Sequence, residues 1–176
     1  MADRVSPQEL AAAVGQALPA EYLTFLDGLP ARPTLGPGYD PTLDFGGRTW
    51  RPYTRERLAE VIPHRRKETA FPHAHETARH AEFLRAADMA HGGEASAVLV
   101  EQGFTLDRLA RGFCVGDDGN GNPLFVDPDT GGVFAYYHDG MDVEQWAGSL
   151  AELVIGSRDG IDNEDELGAT TAEPGH

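Results

Sequence analysis

Positive charge is scarce in this sequence, and its absence is uneven. Lys67 is the single lysine in 176 residues, and from Gly112 to His176 only Arg158 stands against 14 acidic residues. That stretch carries −13 of the chain's net −15, whereas Met1 to Arg111, with 15 acidic and 13 basic residues, carries −2. A polyanionic surface repels nucleic-acid phosphates and anionic lipid headgroups and attracts basic proteins or cations, although acidity also serves solubility alone. Direct nucleic-acid or membrane binding is therefore not expected. Cysteine is nearly absent too: Cys114 stands alone, so no intramolecular disulfide forms, and its place in an apolar run suits a buried, inert thiol. No apolar run approaches the roughly 18 residues a membrane span needs. The opening MADRVSPQEL lacks the charged-then-apolar pattern of a signal peptide, so a cytoplasmic location is expected.

Catalytic signatures are missing as well. There is no strand–GxSxG–helix elbow, no GxGxxG after a strand, and no phosphate loop with its lysine. His75-Glu76-Thr77-Ala78-Arg79-His80 resembles a zinc-protease helix, but that helix needs His at i and i+4. Here the spacing is i, i+5, which turns the two rings roughly 140° apart at 3.6 residues per turn. His64, His73, His75, His80 and His91 read better as surface histidines. Asp118-Gly119-Asn120-Gly121-Asn122 alternates oxygen ligands as a calcium loop does. Pro123 stands where such a loop needs its turn glycine, and Asp129 replaces the bidentate Glu. A hairpin turn is the better reading. No metal, cofactor or catalytic residue is assigned, and binding is expected rather than catalysis.

What is present organises around Gly112 to Asp139, GFCVGDDGNGNPLFVDPDTGGVFAYYHD. It predicts three short strands, Phe113–Val115, Leu124–Asp127 and Val133–His138, joined by turns rich in Asp, Asn, Gly and Pro. Upstream, Ser6-Pro7-Gln8-Glu9 is a capping box that starts a helix at Pro7, and a second helix runs Ala20–Asp27 to Gly28. The proline-rich segment 30–44 predicts a loop, and Phe45 to Tyr53 a strand with Trp50 in its middle. Thr54 is placed to cap a helix through Leu58, Val61 and Ile62. Six of the 14 basic residues lie between Arg51 and Lys67, a run that a solvated helix face explains. An Ala-rich helix is predicted from Pro72 to Ala90, where Phe83 and Met89 widen the apolar face, then a strand Ala95–Glu101 and a short helix Thr105–Ala110. Asp142 is placed to cap a closing helix to Ile155 through Val143, Trp146 and Leu150. The sum is one α+β domain over 1–156, a bent, mainly antiparallel sheet with flanking helices, followed by an acidic tail, 157–176, expected to be disordered.

The meander, with its Asp/Gly-rich first turn, Asp127-ended second strand and terminal His138-Asp139, resembles the central signature of the SUKH superfamily, which includes the SMI1-type fungal regulator. Leu18-Pro19-Ala20-Glu21-Tyr22-Leu23-Thr24-Phe25-Leu26 resembles the family's amino-terminal helix, and Val143 to Leu153 its last. The chain departs in having Asp27-Gly28-Leu29 and a proline-rich loop where the family often has Asn-Gly-Gly. The Ala/His-rich segment 72–91 and the acidic tail also fall outside the pattern. The resemblance implies a strongly bent sheet with flanking helices. It also implies that bacterial members act mostly as immunity proteins that bind and neutralise toxins, many of them nucleases. A ratio of 13 Arg to one Lys, with abundant Ala, Gly and Pro, fits a GC-rich bacterial coding sequence.

The expectation is a non-catalytic immunity or antitoxin-like protein whose acidic surface blocks a basic toxin, such as a nuclease domain, as a phosphate mimic. The residues expected to carry it are Asp117, Asp118, Asp139, Asp142 and Glu144, with Tyr137 or Trp50 as aromatic anchors. A regulatory scaffold of the fungal type, or a histidine-dependent metal hydrolase, are the alternatives from other classes.

Overall fold

The computed structural model describes residues 5–28, 42–59, 61–62 and 71–159. The expected loop up to residue 41, the basic residues 65–67, His64 and the tail from residue 160 lie outside the described residues. The fold is α+β. Helix α1 (Pro7–Val14) starts as its capping box dictates: the Ser6 hydroxyl accepts from Glu9 N, and the Glu9 carboxylate accepts from Ser6 N. Helix α2 (Ala20–Asp27) ends at Gly28.

The strand expected over Phe45–Tyr53 is two strands. Gly46 and Gly47, at φ 61° and 83°, form a reversal between β1 (Leu43–Phe45) and β2 (Arg48–Pro52). Thr54 caps α3 (Arg55–Ala59) through Arg57 N at 3.2 Å, but the helix stops there. Val61–Ile62 is instead a short strand, β3, paired with β4 (Phe71–Pro72). A 3₁₀ turn, His73–His75, leads into α4 (Glu76–His91), closed by Gly92 at φ 74°. Phe83 and Met89 do not widen its buried face; they are 72% and 89% exposed.

Two further expectations are corrected. Glu94–Glu101 is a helix, α5, rather than a strand. Asp142–Ala147 is a strand, β8, rather than the start of the closing helix, which is only Leu150–Gly156 (α7). Between α5 and β8 come α6 (Leu106–Ala110), capped by Thr105, and the expected meander of β5 (Phe113–Asp117), β6 (Pro123–Val126) and β7 (Val133–Tyr137). A last strand, β9 (Arg158–Asp159), pairs with β1, so the first residues of the expected disordered tail belong to the sheet.

The seven strands run β8-β7-β6-β5-β2-β1-β9, each pair antiparallel. Arg48 on β2 donates to Glu144 on β8 at 2.6 Å, although the two strands are four places apart in that order. In a flat sheet they would be about 19 Å apart, farther than both side chains reach, so the sheet must be strongly curled. Register fixes which side chains share a face. Leu124 and Ala135 are partners on one face, Phe125 and Phe134 on the other. The second face packs on Phe104, whose ring meets Phe125 at 5.9 Å and Phe134 at 5.3 Å, and on α4, where the Thr77 hydroxyl lies 3.7 Å from Cys114 Sγ. That burial pushes the Cys114 thiol up to about 12, which leaves it the inert core group expected. Gly116 is where β2 and β5 nearly touch: a Cβ there would lie 2.3 Å from the Arg51 carbonyl oxygen and 2.9 Å from the Trp50 ring. No described helix is long and apolar enough to cross a membrane.

Candidate functional site

The charge asymmetry of the sequence is largely undone in space. Five of the 14 C-terminal acidic residues lie in 160–176, outside the described residues. Of the others, four are met by arginines from the first two-thirds of the chain. Asp117 lies 3.8 Å from Arg51 and 3.5 Å from Arg57, Asp127 is bound by Arg108, Asp129 by Arg111, and Glu144 by Arg48. Four of the nine described acidic residues of the −13 segment are thus the acidic half of internal ion pairs.

This decides where each expected site residue stands. Asp117 is 7% exposed, and its carboxylate also accepts from Gly119 N at 2.7 Å. Burial raises its pKa, against the pull of that amide and the two arginines. Asp118 is spent on its own turn: it accepts from Asn120 N at 2.9 Å, Asn122 N at 3.1 Å and the Asn122 side-chain amide at 2.9 Å. Those bonds are what an Asx-type turn needs, and they occupy the lone pairs a cation would take. Trp50 has no exposed surface; its ring lies 6.1 Å from Phe25 and its indole N–H donates to Ser157 Oγ at 3.0 Å. Of the expected partner-facing residues, then, Trp50 and Asp117 are buried, and Asp118 is half-buried and bonded within its own turn.

The remaining four gather on one hairpin. Tyr137 and Asp142 are register partners of β7 and β8, and Asp139 lies in the turn between them. Tyr137 Oη donates to Glu144 at 3.1 Å and accepts from Trp146 Nε1 at 3.2 Å, while the Arg48 guanidinium sits 5.2 Å over the Trp146 ring. Tyr137, half-buried, and Glu144, exposed, are thus tied into one cluster with Arg48 and Trp146. Trp146, expected in the core, is half-buried there. The Asp139 side chain is 96% exposed and meets only the neighbouring His138, at 3.3 Å; Asp142 is exposed too, and no described arginine reaches either.

Beside Asp139 lies a recess of about 420 Å³ between the hairpin end and α4, lined by His80, Phe83, Tyr136, His138, Asp139 and Met141, with Arg79 at its side. Sequence reasoning did not place it. The one signal was Phe83, a large apolar residue off the buried stripe of α4. Met141 has φ 55°, the left-handed region, and Gln102 clamps it by donating to Met141 O at 3.0 Å and accepting from Val143 N at 2.7 Å. Non-glycine residues rarely hold such angles without support, and Gln102 supplies it. Deeper in, Glu76 is 8% exposed, accepts from Tyr53 Oη at 2.6 Å and pairs with Arg79 at 3.0 Å. His80 lies edge-on to Tyr136 at 5.2 Å and stacks near His138 at 5.9 Å. Its Nε2 is buried with no hydrogen-bond partner, and Glu76 is 3.9 Å away. Burial, with Arg79 and His138, lowers the His80 pKa to about 4 against the opposing Glu76, so the ring is neutral at physiological pH. Among the described residues, no three His, Cys, Asp or Glu side chains converge as a metal site.

No family model, curated protein or solved structure matches this chain.

Proposed function

We propose that the chain is a binding protein of the immunity type that acts in the cytoplasm and neutralises a basic protein toxin, such as a nuclease domain, by occupying its cationic groove. The observation that carries this reading is the end of the β7–β8 hairpin. Asp139 and Asp142 are exposed there and free of any described arginine, whereas four of the seven other described C-terminal acidic residues are ion-paired internally. The exposed Asp139 on the rim of an apolar-walled recess, with the exposed Phe83, makes the usual anatomy of a docking hot spot: an anchor pocket with a charged rim. The resemblance of the Gly112–Asp139 meander to the SUKH pattern supports the same reading, as does the α+β fold it implies. The chemistry at the hairpin end also suits inhibition better than turnover. Exposed carboxylates offer attraction and steering, whereas the buried Tyr53 and Glu76, with Arg79, are tied up in their own hydrogen bonds.

The test is to read the gene next to this chain and, where it encodes a toxin domain, to measure association with that domain. Purified partners should bind tightly, and the association rate should fall as salt is raised from 50 to 500 mM while the dissociation rate changes little. Binding that is indifferent to salt, or equally tight binding to many unrelated proteins, as a scaffold would show, contradicts the reading.

A further inference from the structure

We propose that the recess between α4 and the β7–β8 hairpin receives an arginine side chain of the partner, its guanidinium lying among Phe83, Tyr136 and His138 and pairing with Asp139. This inference deepens the reading above and rests on it for the partner's basic character. Two features of the recess favour a cation with planar donors. Its walls are aromatic: Phe83, Tyr136 and the stacked pair His80–His138. Aromatic faces attract a guanidinium and let it stack, and arginine does so more readily than lysine because it is flat and weakly hydrated. The rim bears the exposed Asp139, whose carboxylate is placed to accept from such a guest.

Arg79 stands against the proposal only in part. Its guanidinium is held by Glu76 at 3.0 Å, so the pair is neutral and the recess keeps the single negative charge of Asp139. The Arg79 Nε, however, is buried without a partner, and as a donor it would suit an anion. That makes anion binding the rival outcome. The volume of about 420 Å³ accommodates either guest. Asp139, exposed at the rim, disfavours the anion by like-charge repulsion.

The experiment needs no toxin. Titrate the intact protein with N-acetyl-arginine amide, N-acetyl-citrulline amide and sodium acetate, and follow the imidazole and aromatic-ring NMR signals of His80, His138, Tyr136 and Phe83. The arginine amide should give saturable shifts confined to these rings, with a millimolar dissociation constant that rises at least threefold in Asp139→Asn and in Phe83→Ala. Citrulline, equal in shape but uncharged, should bind at least fivefold more weakly. Both substituted residues are exposed, so the variants should fold, and unchanged amide spectra elsewhere would verify it. No saturable shift with the arginine amide, equal binding of citrulline, or preferential binding of acetate each overturns the proposal. Failure here leaves the salt-dependent toxin association to stand or fall on its own measurement. Loss of that association with the arginine pocket intact would instead remove the partner and keep the site.

Discussion

Asp127→Asn is the substitution whose cost the structure fixes most narrowly. The Asp127 carboxylate has no exposed surface and takes five hydrogen bonds: from Arg108 Nε at 2.8 Å and Nη2 at 2.5 Å, from the Thr130 hydroxyl at 2.6 Å, and from the amides of Thr130 at 3.1 Å and Asp129 at 3.3 Å. Burial alone would raise its pKa, but the Arg108 and Thr130 bonds outweigh it and hold the carboxyl at about 2, against an ordinary 3.8. A depression of roughly two units corresponds to about 2.5 kcal/mol of folding stability at neutral pH. The amide keeps the shape but removes the charge facing a guanidinium whose side chain is only 19% exposed, and Arg108 also packs 4.0 Å over the Phe104 ring. A loss of about 2–4 kcal/mol is expected, in the range for breaking a buried pair at one partner. Because the folded pKa is the lower one, this stabilisation is complete above pH 4 and disappears as pH falls toward 2. Urea unfolding at pH 7 should therefore show the variant's midpoint lowered by about 1–2 M with an unchanged slope. The gap between variant and wild type should close between pH 4 and pH 2. A cost below about 0.5 kcal/mol at pH 7, or a gap that stays constant with pH, refutes the reasoning.

Two further perturbations test other parts of the fold. Gly116→Ala forces a Cβ to within 2.3 Å of the Arg51 carbonyl oxygen, so β2 and β5 must part; a loss of about 2 kcal/mol or more is expected in thermal or urea unfolding. A neutral substitution there would mean the two strands are not in contact at that point. His80, facing Glu76 and Arg79 on its own helix, Tyr136 on β7 and His138 in the hairpin turn, is held near pKa 4 mainly by burial, below its ordinary 6.5. The unfolded chain takes up that proton first, so stability should fall by on the order of 2–3 kcal/mol as pH drops from 6.5 to 4. His80→Gln should flatten that slope, and an identical slope in the variant would show that the ring titrates normally.

The legible parts of the fold were those whose signals are local. The three meander strands are bounded by turns whose residues bond to their own backbone, as Asp118 and Asp127 do, and such turns stop a strand whatever surrounds them. The misread elements were those where tertiary context chooses between two periodicities. ASAVLVE is apolar enough for a buried strand, yet in α5 only Leu99 is fully buried and Val100 is 61% exposed. Its start is set from outside, by the Asp88 carboxylate accepting from Ser96 N at 2.9 Å, a contact eight residues away. DVEQWA fits a helical stripe as well as a strand, and the five-pair register with β7 decides it. The real helix start was present in the sequence: Ser149 caps Glu152 N at 3.1 Å, and Glu152 reaches back to Gly148 N at 2.7 Å.

The site was half legible for a different reason. Net charge along a sequence says nothing of pairing in space, and Arg48, Arg51, Arg57, Arg108 and Arg111 come from elements remote in sequence from the carboxylates they meet. Subtracting those pairs moves the candidate surface from the Asp117–Asp118 turn to the far end of the same meander. His138-Asp139, the last residues of the signature, mark that end. The recess beside it required α4 to be docked on β7, which no local pattern states.

The central claim is that Asp139 and Asp142 dock a basic partner. The most direct measurement is the dissociation constant of a basic toxin domain, the partner class proposed above, for wild type, for Asp139→Lys/Asp142→Lys, and for Asp107→Lys as an exposed acidic control on α6. The account predicts at least a hundredfold weakening in the double variant and less than a threefold change in the control. Equal weakening in both, or none in the double variant, would contradict it.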